Sequence, residues 1–212
     1  MQPRVLIAIP YHEKKRYALD RCLEAVRAMT YPNKEVLMRW DLGEYGGKDN
    51  VKIQRETFRN IAITFDFDYL FFLGVDTIPP PDVIERLLTA NEPIVGGVYW
   101  GRHAAENGHP DGAVAWIHNQ TPEKQQEMFN PEPGKAGLVR VDGMGMDCVL
   151  FKREVFFKLS WLSWEQNDDD YPYYDQAKAA GYRIYVDTSV QCRHYSARDC
   201  YTFRGETILG PH

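Results

Sequence analysis

Tyr69-Leu-Phe-Phe-Leu-Gly-Val-Asp-Thr-Ile-Pro-Pro-Pro-Asp82 is the stretch on which the fold turns. Its opening apolar run, Tyr69 to Val75, reads as a central strand, and Asp76 follows at that strand's C-terminal tip. The prolines then open a helix, whose first turn tolerates a missing N–H. In open α/β sheets this edge is where ligands bind. A lone carboxylate there can hold a divalent cation against a diphosphate, or it can act as an N-cap or turn acid.

The residues on either side repeat the same unit. Arg4–Ile9 is apolar and β-branched, and Pro10 stops it. Leu19, Cys22, Leu23 and Val26 then fall at the spacing of a helix packed by one face. Lys34–Trp40 predicts a second strand, ended by Asp41-Leu-Gly-Glu-Tyr-Gly-Gly47. Phe58, Ile61, Ala62 and Phe65 restore helical spacing, Val83, Ile84, Leu87 and Leu88 mark the helix after the prolines, and Pro93–Trp100 predicts a fourth strand. Short strands alternating with amphipathic helices imply a mostly parallel sheet covered on both faces.

From Gly101 to Gly137 regular patterning is lost, apart from one predicted helical turn near Pro122–Met128. A stretch of this length inside a compact domain implies a functional loop or lid around 101–137. Beyond it, strands are expected at Leu138–Val141, Met146–Lys152 and Arg183–Asp187. A short helix and the acidic Asp168-Asp-Asp170 lie between them, followed by a helix ending at Gly181.

With 212 residues and 44% apolar content the chain can form one well-cored domain, and disorder is excluded. A net charge of −5 leaves no basic footprint for nucleic acid. No apolar run reaches the roughly 18–20 residues of a membrane span. Val5–Ile9 is too short for a signal-peptide core, so a cytoplasmic protein is expected. Cys22, Cys148, Cys192 and Cys200 form no Cys-x-x-Cys pair, which argues for reduced thiols and against zinc.

Several segments together resemble the family 2-like glycosyltransferases of the GT-A fold. They are Val5-Leu-Ile-Ala-Ile-Pro10, Arg59-Asn-Ile-Ala62, Phe72-Leu-Gly-Val-Asp-Thr-Ile-Pro-Pro80, Ile94-Val-Gly-Gly-Val-Tyr99 and Val141-Asp-Gly-Met-Gly-Met-Asp-Cys-Val-Leu-Phe-Lys152. Asp169-Asp170 ahead of Ala177-Lys-Ala-Ala-Gly-Tyr182, and Val190-Gln-Cys-Arg-His194, complete the set in the family's order. The resemblance implies a single-domain GT-A-like α/β/α sandwich over 1–212. About 1–100 would form a nucleotide-binding half, about 101–195 an acceptor- and metal-completing half, and 196–212 a tail. One departure stands out. Where the family carries Asp-x-Asp at the third strand tip, this chain has Gly74 in the first position and keeps only Asp76.

What the resemblance implies is a metal-dependent, inverting transfer of a sugar from a nucleotide-diphosphate donor to a hydroxyl acceptor. The acceptor class is left open between carbohydrate, lipid-linked and protein hydroxyls. Such a reaction needs the charge of the departing diphosphate neutralised and a proton removed from the acceptor. Asp76 and His194 are the expected metal ligands, and mixed oxygen and imidazole ligation suits manganese, with magnesium as the alternative. Asp170 is the expected general base with Asp169 in support, unless the cluster only caps a helix. Pro10 and Tyr11 are expected under the nucleoside, and Asp41 either beside it or in a turn. Arg59 either reaches toward the nucleotide or forms a surface ion pair. Gly143 and Gly145 either let backbone approach the donor sugar or make a tight turn. Trp161 or Trp164 would stack on the acceptor. Two other readings remain. One is a nucleotide-sugar or glycan binding protein without turnover. The other is a sugar-phosphate nucleotidyltransferase, which would want a glycine-rich loop where Pro10-Tyr-His-Glu-Lys-Lys-Arg16 stands.

Overall fold

Strand β1 (Val5–Tyr11) sends alternate side chains to opposite faces of a sheet, and both faces are covered. Val5, Ile7 and Ile9 join a core with Cys22 and Val26 of α1 (Leu19–Ala28) and Val83, Ile84 and Leu87 of α3 (Val83–Ala90). Leu6 and Ala8 join a second core, supplied by Phe58 and Ala62 of α2 (Lys48–Thr64), Val155 and Phe156 of α4 (Arg153–Lys158), and Tyr173 and Ala177 of α5 (Asp170–Ala179). The period-2 alternation of the strand and the one-sided helices therefore specify three layers. The computed structural model describes residues 2–40, 48–100, 114–117, 127–128, 136–163, 170–197, 199–201 and 207–209.

The central sheet is assembled from β2 (Lys34–Trp40), β1, β3 (Tyr69–Leu73), β10 (Cys148–Lys152), β5 (Ile94–Val98), β11 (Ile184–Gln191) and β8 (Leu138–Val141), in that order. Strands β10 and β8 run against the other five. The mixed, mostly parallel sheet expected from the sequence is thus present, with an antiparallel strand inserted between β3 and β5. That insertion has a consequence at the tip of β3, because it lays the start of β10 beside Leu73 and Gly74.

Two smaller sheets finish the C-terminal edge. One joins β4 (Thr77–Ile78), β12 (Arg193–Tyr195), β13 (Asp199–Tyr201) and β14 (Thr207–Leu209). The other joins β6 (Ala115–Ile117), β7 (Glu127–Met128) and β9 (Gly143–Met144). The helical turn expected near Pro122–Met128 is corrected in part. Glu127 and Met128 pair as a strand with Ile117 and Trp116, since extended neighbours supply the partners that a lone helical turn lacks. The rest of that expectation, and most of the loop expected around 101–137, lie outside the described residues.

Helix α5 ends as the sequence requires. Gly181 takes φ +88°, its N–H donates to the carbonyl of Lys178, and the N–H of Tyr182 donates to that of Ala177. Glycine carries this left-handed step without a Cβ penalty. Trp161, expected at an acceptor groove, is instead fully buried and stacked on Tyr173 at 4.0 Å. A large aromatic with a covered neighbour gains more from the core than from the rim. Trp164 lies outside the described residues. No helix among the described residues is long and apolar enough to cross a membrane.

Candidate functional site

Asp76 leaves the tip of β3 with no exposed surface, yet it is ringed by polar partners. The Lys15 ammonium donates to its Oδ1 at 2.8 Å, and the Tyr17 hydroxyl donates to Oδ2 at 3.3 Å. Both come from the 3₁₀ helix Glu13–Ala18 that follows β1, so the first strand's turn feeds the third strand's acid. A carboxylate buried this deeply persists only when it is paired and hydrogen-bonded.

His194 arrives from the far end of the chain through β12. That strand pairs antiparallel with β4, His194 opposite Thr77, and the Tyr195 N–H donates to the Asp76 carbonyl at 2.8 Å. The imidazole is 4% exposed, packs edge-on to Tyr99, and places Nδ1 at 2.6 Å from the Trp100 carbonyl. A carbonyl can only accept, so Nδ1 carries a proton and Nε2 is the ring nitrogen turned the other way. Nε2 has no hydrogen-bond partner and lies 3.6 Å from Asp76 Oδ2. Two acceptors facing each other in a buried site repel unless a proton or a cation sits between them.

A second acid completes the group. Ligand atoms of Asp76, Asp147 and His194 all lie within 4.8 Å of one another. Oxygens about 2.1 Å from one octahedral cation stand roughly 3 to 4 Å apart, so small adjustments bring these three onto one ion. The donor set fits a hard divalent cation, and the buried lone pair on His194 is what such an ion would satisfy. Asp147 was not singled out from sequence, because it belongs to the turn before β10 and meets Asp76 only through the strand insertion.

The remaining expected residues divide. Asp170 opens α5, and its Oδ1 accepts from Arg55 Nη1 at 2.8 Å, with a quarter of the side chain exposed. Burial first, then the charges of Asp147 and Asp170, push the Tyr99 phenol well above its usual pKa. Asp170 is thus on the same side of the molecule as the Asp147 group. Asp169 and Asp41 lie outside the described residues. Pro10 is at the tip of β1, opposite Arg39.

Tyr11 and Arg59 are found in other roles. Tyr11 has no exposed surface: its hydroxyl donates to Glu13 at 3.2 Å and its ring meets Trp40 edge-on, 4.7 Å between centroids. The open aromatic at this edge is Trp40, which is 47% exposed at the end of β2. Arg59 is spent on the joint between α2 and α4, donating to the carbonyls of Phe156 and Phe157 at 2.6 and 3.1 Å and pairing with Glu56. Unpaired carbonyls at a helix C-terminus are natural partners for a guanidinium.

Gly143 and Gly145 make room for aromatic side chains. A Cβ on Gly143 would run into the Trp116 indole, and one on Gly145 into the Tyr99 hydroxyl. Gly145→Ala should therefore cost about 1–3 kcal/mol by overpacking, read as a lowered urea midpoint with unchanged slope. Cys22, Cys148 and Cys192 are free and buried, and burial, with help from Asp76, pushes Cys22 up to about 12.

A hollow of about 790 Å³ lined by Gln2, Arg4, Asn33, Asp68 and Tyr69 opens at the opposite edge, against the start of β3. Among the described residues it gathers no comparable set of metal-ligating side chains.

No protein-family model matches the chain, and no curated sequence matches it significantly. Many solved structures resemble it, among them the following two. The crystal structure of A197 from STIV superposes with a TM-score of 0.66 at 20% identity, covering 99% of this chain and 95% of that one. The mannosyltransferase PcManGT from Pyrobaculum calidifontis, solved in complex with GDP-Man and Mn2+, superposes with a TM-score of 0.50 at 16% identity. That match covers 89% of this chain and 55% of the mannosyltransferase, so the chain spans about half its length. At these identities the likeness establishes the fold alone. The fold is a mixed α/β sandwich of the GT-A-like kind.

Proposed function

We propose that this chain is a single-domain, metal-dependent glycosyltransferase that takes its sugar from a nucleotide-diphosphate donor. The observation that carries the reading is the buried His194 Nε2, without a hydrogen-bond partner and 3.6 Å from Asp76 Oδ2, at the C-terminal edge of a GT-A-like sheet. Open α/β sheets bind their ligands at this edge. Manganese or magnesium held by Asp76 and His194 would offset the charge that develops on the leaving diphosphate.

The chain's own residues account for the rest. Lys15, already on Asp76, adds a second positive charge within reach of a phosphate. Trp40 supplies the exposed indole face on which a base can stack, in place of Tyr11. Pro10 borders that nucleoside end, and Asp41, outside the described residues, is assigned to it from the sequence alone. Asp170, with Asp169 beside it, accepts the proton of the acceptor hydroxyl, which makes the displacement single and the outcome inverting. Arg55 holds the Asp170 carboxylate in position. Gly143 and Gly145 let Trp116 and Tyr99 pack directly on the turn between β8 and β10. Carbohydrate, lipid-linked and protein hydroxyls all satisfy this chemistry as acceptors.

A thermal-shift screen of UDP-, GDP- and dTDP-sugars with and without Mn2+ tests the reading. One donor should raise Tm by roughly 5–10 °C at a hundredfold excess over its Kd, and only with metal. Metal-dependent hydrolysis of that donor should accompany the shift. A shift without any turnover would favour the binding-protein reading, and no shift with any donor would sink both.

Lys15 makes a separate expectation. Its ammonium and a metal compete for Asp76 Oδ1. Lys15→Met should therefore tighten Mn2+ binding to the nucleotide-free protein roughly tenfold, measured by calorimetry.

A further inference from the structure

Gly74 and Asp147 are a matched pair. The Gly74 N–H donates to the Asp147 carbonyl at 2.8 Å, and a Cβ built on Gly74 would lie 2.5 Å from Asp147 Cγ and 2.7 Å from Oδ1. The space that a side chain at position 74 would enter is thus already filled by the carboxylate of another strand. Met146 and Cys148, on either side of Asp147, are buried, which fixes the turn. Among the described residues no Lys, Arg or His forms an ion pair with the Asp147 carboxylate. Its oxygen nonetheless lies within 4.8 Å of both an Asp76 carboxylate oxygen and a ring nitrogen of His194.

We propose that Asp147 is the acid missing from the β3 tip, moved to the turn before β10, and that it is the third protein ligand of the divalent cation. The inference rests on the metal-dependent reading above and adds to it a residue and a reason for Gly74. An acid at 74 and one at 147 cannot both be accommodated, because two carboxylates would overlap and repel. Glycine at 74 is therefore required by Asp147, and the site has lost no ligand. Two carboxylates and one imidazole leave the other positions of an octahedral ion for phosphate oxygens and water.

The test is Mn2+ binding to the full chain, read by calorimetry and by loss of the free-ion paramagnetic resonance signal. Asp147→Asn keeps the shape of the turn and removes the charge, and it should weaken Mn2+ binding at least tenfold with an unchanged circular dichroism spectrum. Gly74→Asp alone should also lose binding, through the clash. The exchange variant Gly74→Asp/Asp147→Gly should recover affinity to within about threefold of the native chain. If Asp147→Asn binds Mn2+ like the native chain while Asp76→Asn and His194→Ala do not, the inference is overturned and the metal reading stands. If the exchange variant folds but binds no better than Gly74→Asp, the relocation is overturned as well. A native chain that binds no Mn2+, alone or with a nucleoside diphosphate, removes the metal reading itself.

Discussion

Asp76→Asn is expected to remove metal-dependent donor turnover by on the order of 10³-fold, since charge stabilisation by a bound cation is worth several kcal/mol. The side chain keeps its size, its amide oxygen can still accept from Lys15, and its NH2 can donate to the Tyr17 hydroxyl in place of the bond that Oδ2 accepts, so the fold should survive. Removing one partner of a fully buried ion pair can destabilise by about 3–5 kcal/mol. Lys15, however, is 28% exposed and can turn to water, so the stability loss should fall well below that figure. Urea unfolding of the variant separates the two effects. A small change in midpoint alongside a large loss of turnover assigns Asp76 to chemistry, and a collapsed midpoint would assign it to the core.

Asp170→Asn should lower kcat by about 10²–10⁴-fold and leave donor affinity unchanged, the pattern of a lost general base. The amide oxygen can still accept from Arg55, so the start of α5 should stay in place. Single-turnover transfer and calorimetric donor titration on the same sample give both numbers. A variant that loses donor binding in step with kcat would make Asp170 a cap or an anchor.

The two variants probe residues that differ in how they could be found. Asp76 was legible because strand, tip and proline-initiated helix lie within fourteen consecutive residues, and local patterning specifies local structure. His194 was legible only through the order of segments, since β12 reaches β4 across more than a hundred residues. Asp147 was not legible. Its meeting with Gly74 depends on β10 entering antiparallel between β3 and β5, and no periodicity encodes which strands become neighbours.

Arginine on α2 shows a finer limit. Arg55 and Arg59 lie one turn apart on nearly the same face, and about 6 Å of helix rise decides which one meets Asp170 and which meets α4. Sequence gives the face, and packing gives the height. Tyr11 and Trp40 differ in the same way. They are neighbours across β1 and β2, and burial of the tyrosine leaves the tryptophan as the open ring.

The apolar strand, the acid at its tip and the C-terminal histidine implied a cation and a diphosphate, and the structure brings Asp76 and His194 together. Base and sugar would be read by the side chains that border the nucleoside and by Trp40, which varied chemistry at two strand tips can tune without altering the sheet.

Diffraction from crystals grown with MnCl2 and a nucleoside diphosphate, recorded for anomalous scattering from manganese, tests the central claim most directly. The account predicts one strong anomalous peak at bonding distance from Asp76 and His194 Nε2, with phosphate oxygens on its far side. Nucleotide bound at that edge with no anomalous peak, and Lys15 still seated on Asp76, would contradict it.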